Sequence, residues 1–225
     1  MQDTAESKLN MLRRFLHHNM AAFAGFLGAY ALLLREDFFG NAQTVNAIYI
    51  VFALIGKDLK DFMLRVIVLL LYVAATLLYV YIDRKLHKDT RMLALVINTV
   101  AVVVLALMPK DVNSVIGLYP IFFAMSFQWN SYCSVYGYNS SSIFSTNNIR
   151  QTALAFGEYL VDGDKKHLHK MVFFLGVLIF FHIGVGYGFI TTLKFAEQAV
   201  WFDLVFIVSG AVLLYLVKKY EKEEQ

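Results

Sequence analysis

Gln43-Thr44-Val45-Asn46 and Ser145-Thr146-Asn147-Asn148 are two short polar stretches in a very apolar chain, at nearly the same place in its two halves. An offset of 102 residues superimposes them and also brings Ala29-Tyr30 onto Ser131-Tyr132. Each half then reads as a hydrophobic segment ending in Tyr, a polar loop, a Thr-x-Asn turn and a short interrupted apolar stretch, followed by a long apolar helix. Paired segments of this kind, in corresponding halves of a membrane protein, point to a central binding site.

Composition sets the frame for that repeat. Of 225 residues, 59% are hydrophobic and 16% charged, against roughly 25% charged in soluble domains. A helix crossing a bilayer core needs about 17–25 apolar residues. Six stretches qualify: Phe15–Leu34, Phe62–Ile82, Met92–Met108, about Val115–Tyr136, Met171–Leu193 and Ala199–Val217. They predict an all-α polytopic bundle, one integral membrane domain over residues 1–225, with the repeat at about 15–108 and 115–217. No length is left for a water-soluble catalytic module. The apolar run after Arg13-Arg14 is long enough to stay as a span, so it does not read as a cleaved signal.

Two segments stand outside the six. Asn46–Gly56 has only 11 residues, and Ile149–Val161 is interrupted by Arg150, Gln151, Thr152 and Glu158. Both read as half-helices or re-entrant pieces, because neither can cross alone. The alternative is a pair of complete tilted spans, eight in all. Charge does not decide between them. Six spans put Arg13/Arg14, Arg84–Arg91, Lys165–Lys170 and Lys218–Lys222 in the cytoplasm with both termini, and leave Lys57, Lys60 and Arg65 outside. Three spans per half make the repeats inverted, as in alternating-access carriers.

Polar side chains at membrane depth need partners, because lipid offers none. Ser126, Gln128, Asn130, Ser131, Tyr132 and Ser134 cluster in the fourth span, and Asn139–Ser142 extends the polar lining. Such groups can equally act as glue between helices, at roughly 0.6 kcal/mol per contact. Thr44/Asn46 and Thr146/Asn148 suit N-caps of the half-helices, which would aim positive dipole ends at a shared volume. Arg150 either attracts an anion or pairs with Glu158 or Asp162. His182 and Asp203 are the deepest ionisable residues of the last two spans and are candidates for proton coupling. Gly184, Gly186 and Gly188 alternate, and Gly25 and Gly28 recur in the first span, so helices can approach closely there.

Several classes drop out. A single cysteine, Cys133, excludes an internal disulfide and an all-Cys metal site. The net charge of +3 comes from juxtamembrane Lys and Arg, and no basic stripe suggests nucleic acid. No H-E-x-x-H, G-x-S-x-G or paired-carboxylate motif supports an enzyme, and no cofactor or metal is called for.

Gly25-Phe-Leu-Gly-Ala-Tyr30, Phe39, Gln43–Asn46, Phe127-Gln-Trp-Asn130, Gly137 and Ser145–Arg150 together resemble the YoaK-type family of bacterial integral membrane proteins. The resemblance covers essentially the whole chain. It implies six spans in the bacterial plasma (inner) membrane and a Thr-Gly-Asn signature in each half, but no activity. Val45 and Asn147 stand where that pattern most often has Gly, the residue that permits close backbone approach.

The leading expectation is a protein that binds and transports a small polar or anionic solute between its repeats. Gln43, Thr44, Asn46, Gln128, Asn130, Tyr132, Thr146, Asn148 and Arg150 would line the site, and a homodimer is compatible with it. Two readings of other classes stay open: a non-transporting sensor or scaffold, and a membrane redox protein with His182 and His17 or His18 as haem ligands.

Overall fold

The computed structural model describes residues 2–35 and 39–223, without the side chains of 2–7 and of Ser134. The Ser134 side chain, expected in the polar cluster of the fourth span, therefore lies outside the described residues. The helices are α1 (Gln2–Leu34), α2 (Gln43–Ile55), α3 (Leu59–Tyr81, continued by a π-turn at Ile82–Leu86) and α4 (Thr90–Leu107). After these come α5 (Ser114–Gly117), α6 (Tyr119–Ser131), a minimal hairpin of β1 (Ser134–Val135) and β2 (Tyr138–Asn139), and α7 (Thr146–Asp162). The chain ends in α8 (Lys165–Phe195), a 3-10 segment (Ala196–Asp203) and α9 (Leu204–Glu223).

Among the described residues, three stretches are long and apolar enough to cross a membrane: Leu59–Leu86, Thr90–Leu107 and Lys165–Glu223. The last is not one rod. Ala196, at φ 47° and ψ −127°, breaks α8 from the 3-10 segment and α9. Their outer faces carry bare apolar side chains, with Leu77 63%, Val100 56% and Val208 63% exposed. Exposed apolar surface on this scale fits lipid, not water.

Helix α1, which holds the expected first span, is instead the axis of the bundle. From Leu16 to Ala31, α1 is almost wholly buried. Its polar His17, His18 and Asn19 are therefore spent on protein contacts. Helix α8 lies parallel to α1 at backbone contact: a Cβ on Gly184 would strike the Ala22 carbonyl, and one on Gly25 the Phe181 carbonyl. Helix α9 runs antiparallel to α1, tied by Asn19 Nδ2 donating to the Phe206 carbonyl (2.7 Å) and Tyr30 OH to that of Glu197 (3.3 Å). Around the remaining side, α6 packs parallel to α3 and antiparallel to α4. Its ties are Tyr119 OH to Leu64 O (3.1 Å), Ser126 Oγ to Tyr72 O (2.8 Å) and Tyr132 OH to Arg91 O (2.9 Å).

The two ends differ in charge. At one, Glu221 takes Arg13 (3.0 Å) and Arg91 (3.2 Å), and Asp89 takes Arg91 (3.1 Å) and Lys218 (3.0 Å), which clamps α1, α4 and α9 together. At the opposite end Arg35 reaches Met108, and Lys110 pairs with Glu197 at 3.5 Å.

The expected fourth span is corrected. Val115–Tyr136 is not a single helix: Pro120 sits at the start of α6, and Tyr136 (φ 57°) and Gly137 (φ 76°) turn the chain back as a hairpin. Two consecutive residues with positive φ suit the tight turn that a two-residue hairpin requires. The 13 residues of α6 rise only about 20 Å.

Candidate functional site at the crossing of two inward loops

After α1 reaches the end marked by Arg35, the chain does not stay there. Asn41 is fully buried, and its Nδ2 donates to the carbonyl of Ala24 at 2.8 Å. Ala24 lies 11 residues back along α1, about 16 Å inside the bundle. From that depth α2 runs outward again, antiparallel to the start of α3, with Asn46 Nδ2 donating to Arg65 O at 3.2 Å.

The second half repeats the manoeuvre from the charged end. Past the hairpin, Ser140 Oγ meets His17 Nε2 at 3.0 Å, and Asn41 Nδ2 also donates to the Ile143 carbonyl at 3.0 Å. Helix α7 then returns outward along α8, where His167 bridges Glu158 and Asp162 at 3.0 Å each. One amide, that of Asn41, thus fastens both loops to the middle of α1.

The hydrogen-bond order around the second loop follows from its acceptors. Ser140 Oγ donates its single proton to Asn148 Oδ1 at 3.0 Å, so it must accept from His17, which fixes His17 with its proton on Nε2. Asn148 Nδ2 donates to Ser141 O (2.6 Å) and Phe144 O (3.3 Å), so this amide is the clasp of the loop. Other polar atoms at the crossing meet no protein partner: Asn41 Oδ1, Gln43 Nε2, Ser142 Oγ and His17 Nδ1 are all buried without one. Space is scarce. Beside Asn46 a void of about 10 Å³ lies among Phe39, Val45, Arg65, Val115, Leu118 and Phe122.

This chain belongs to the family of proteins of unknown function DUF1275. The family's model matches residues 16–214, which takes in both inward loops and both half-length helices. No curated protein and no solved structure matches the chain.

The residues expected at the site separate into groups. Gln43, Asn46 and Asn148 stand at the crossing, with Gln43 Oε1 accepting from Asn46 Nδ2 at 2.9 Å. None of them caps a helix. The N-cap positions are Ala42 and Ser145, neither makes a side-chain cap bond, and the Asn amides reach sideways to neighbouring backbone instead. Thr44, Thr146 and Arg150 are exposed. Arg150 lines an outer cleft with Glu158, Asp162 and His167, and among the described residues it forms no salt bridge with either acid.

Gln128 is buried helix glue: it takes Asn98 Nδ2 at 2.6 Å and donates to Met20 O at 3.0 Å. Asn130 bonds its own helix at Ser126 O, and Tyr132 ties α6 to α4. His182 and Asp203 are not brought together. The histidine is exposed and bonded to Leu178 O of its own helix, while the aspartate is fully buried with neither oxygen partnered. His17 and His18 point inward against Phe173, so His182 does not join them as a paired ligand set.

Asn41 carries the site and has no equivalent in the repeat, since the 102-residue offset sets it opposite Ile143. Its position between Gly40 and Ala42, ahead of the first signature, is the only signal the sequence holds for it.

Proposed function

We propose that this protein is a carrier of small polar or anionic solutes, bound where the two inward loops cross. The observation that carries the reading is Asn41, whose amide holds both loops to mid-α1 amid buried polar atoms that lack protein partners. Both unmet donors and unmet acceptors are present, so a solute with hydroxyl, amide or carboxylate groups suits the place. The first turns of α2 and α7 begin there, and helix N-termini favour negative charge.

In this reading α1, α3, α4, α8 and α9 cross the plasma membrane, as do α5 and α6 taken together (Ser114–Ser131, about 27 Å of rise), with α2 and the polar-interrupted α7 as half-helices. The halves are inverted repeats. Their packing supports that: exchanging α1 with α6 and α3 with α8 turns the α1–α8 contact into α6–α3, and exchanging α4 with α9 turns α1–α9 into α6–α4. The end bearing Arg13, Arg14, Arg84, Lys85, Lys88, Lys165 and Lys218 is cytoplasmic by the positive-inside rule. The tight packing of the crossing makes this an occluded state, and passage requires the loops to part. Catalysis plays no part in the reading.

The test begins with thermal stabilisation of the protein in lipid nanodiscs by acetate, succinate, phosphate, sulfate, small sugars and amino acids. Solutes that stabilise are then followed into sealed proteoliposomes. Asn46→Ala and Asn148→Ala should each weaken solute binding several-fold with insertion intact. Stabilisation without uptake would leave a sensor or scaffold. Loss of thermal stability alone, with solute response intact, would remove the site assignment.

A further inference from the structure

Among the described residues Asp203 is the one buried carboxyl, and neither the loop crossing nor the charged clamp between α1, α4 and α9 uses it. It is 0% exposed, and neither carboxyl oxygen meets a protein donor. It directly precedes α9, yet it accepts nothing from that helix's first amides. Its depth follows from two ties on either side: Gln198 Nε2 to Ala106 O (3.3 Å) and Asn19 Nδ2 to Phe206 O (2.7 Å). With Tyr30 tied to Glu197 O, Asp203 therefore stands between the levels of Tyr30 and Asn19 on α1, at about the depth of Ala22 and roughly 3 Å from that of Ala24, where the two loops cross.

The backbone that carries it is unusual too. Ala196–Asp203 is eight residues of 3-10 helix, whereas such runs seldom pass 3–4 residues. The segment starts at Ala196, a non-glycine residue at φ 47°, which is a strained conformation. A 3-10 helix has 3.0 residues per turn and about 2.0 Å rise, an α-helix 3.6 and about 1.5 Å. Rewinding this segment as α-helix would turn Asp203 by roughly 160° relative to the end of α8 and draw it in by roughly 4 Å.

We propose that Asp203 is the group on which the protein takes up and releases a proton, and that winding of residues 196–203 moves it between a buried and an accessible position. The step is the addition of H⁺ to a carboxylate oxygen to give the neutral acid, with no electron transferred. In the buried position the acid form holds, because an isolated carboxylate without donors takes a proton rather than stay charged.

Among the described residues the neighbouring elements supply no counter-charge, and the start of α9, Leu204–Ser209, carries no titratable side chain. On α1, Tyr30 gives its hydroxyl to Glu197 O; on α8, Tyr187 packs edge-on to Phe206, and His182 and Lys194 are exposed. In its own segment Glu197 is engaged with Lys110, and the near stretch of α4, Ala94–Ala106, has no titratable side chain. A proton suits the place better than a metal cation, which needs several oxygen ligands. The buried Ala199 and Val200 offer no side-chain oxygen, and no cluster of three His, Cys, Asp or Glu side chains occurs among the described residues. The proposal rests on the carrier reading only in making this proton the coupling ion.

Difference infrared spectroscopy of the protein in nanodiscs, titrated from acid to alkaline pH, reads the proton directly. A protonated-carboxyl C=O band is expected at neutral pH, lost on alkalinisation, absent in Asp203→Asn and shifted but still titrating in Asp203→Glu. Amide hydrogen exchange over 196–203, corrected for its intrinsic pH dependence, should quicken by more than about tenfold as the band disappears and be unaffected by pH in Asp203→Asn. A wild-type protein lacking the band at neutral pH overturns the proposal. So does a band that persists to the alkaline limit of folding with unchanged exchange, which would make Asp203 a fixed structural acid. Should Asp203→Asn not fold, the wild-type and Asp203→Glu titrations decide alone. None of these outcomes bears on solute-induced stabilisation at Asn46 and Asn148, so the carrier reading stands or falls separately.

Discussion

Replacing Asn41 with alanine tests the crossing most directly. The change deletes donors to Ala24 O at 2.8 Å and Ile143 O at 3.0 Å, both inside the bundle. Leaving a buried polar group unmade costs about 1–3 kcal/mol in general, whereas hydrogen bonds within membrane bundles average about 0.6 kcal/mol and reach about 1.7. The Ala24 carbonyl lies within α1 and keeps the setting of a helix, so its loss falls at the low end; the Ile143 carbonyl, in a loop, falls at the high end. The sum is about 2–3 kcal/mol, and at about 2–4 °C per kcal/mol for a chain of this size the melting temperature should fall by about 4–12 °C. Asn41→Asp should be worse, because it presents acceptors to two carbonyls. Trp129 reports on the event, since its ring stands edge-on to Phe144 of the second loop at 5.0 Å. With Trp201 replaced by Phe, its fluorescence should shift at lower temperature in both variants. An Asn41→Ala protein that melts within about 1 °C of the parent, or an Asp variant no worse than Ala, would refute the clasp.

Other outcomes rest on the same packing. Gly184→Ala should part α1 from α8 and cost about 2 kcal/mol or more, while Gly186→Ala, with nothing near its Cβ, should be neutral or gain up to about 1 kcal/mol in melting experiments. Burial works against the charge on Asp89, but the adjacent Arg91 and Lys218 outweigh it and hold its carboxyl down to about 2 from 3.8. Stability from this group is therefore full above pH 3.8 and fades as pH falls toward 2, and Asp89→Asn should flatten that acid limb by about 1 kcal/mol in pH-dependent unfolding. On a Cys133→Ser background, cysteines at positions 60 and 88 should label from opposite faces of the membrane and those at 88 and 219 from the same face; labelling of 60 and 88 from one face removes the six-span reading.

Helices α3, α4, α8 and α9 were legible in the sequence because their exposed faces are apolar, so hydropathy marks them whatever they pack against. The two half-length helices were legible for the opposite reason: their polar starts and short apolar runs match neither a span nor a soluble loop. Interior geometry was harder to read. Thr44 and Asn46 look alike as cap residues, yet one turns outward and the other crosses to Arg65 O, and a two-residue difference in facing on one helix turn carries no compositional mark. Likewise, His17-His18 near the start of the first apolar stretch carries no compositional mark of its partners, whereas the folded chain surrounds it with Phe173 and Ser140 from segments more than a hundred residues away.

Where the 102-residue correspondence holds and where it fails is also a matter of packing. Asn46 and Asn148 correspond, and each anchors the first turn of a half-length helix by a donor bond to backbone outside that helix. The anchors differ, however: Asn46 reaches the neighbouring α3 at Arg65 O, whereas Asn148 closes on its own incoming loop at Ser141 O. The first half-helix is thus fixed to the helix after it, and the second to the loop before it. Releasing Asn46 would loosen the contact of α2 with α3, while releasing Asn148 would free Ser140 and with it the acceptor that fixes the His17 ring. Two positions equivalent in sequence therefore govern different moving parts. The second loop, held by side chains rather than by an adjoining helix, is the one that polar replacements should open first.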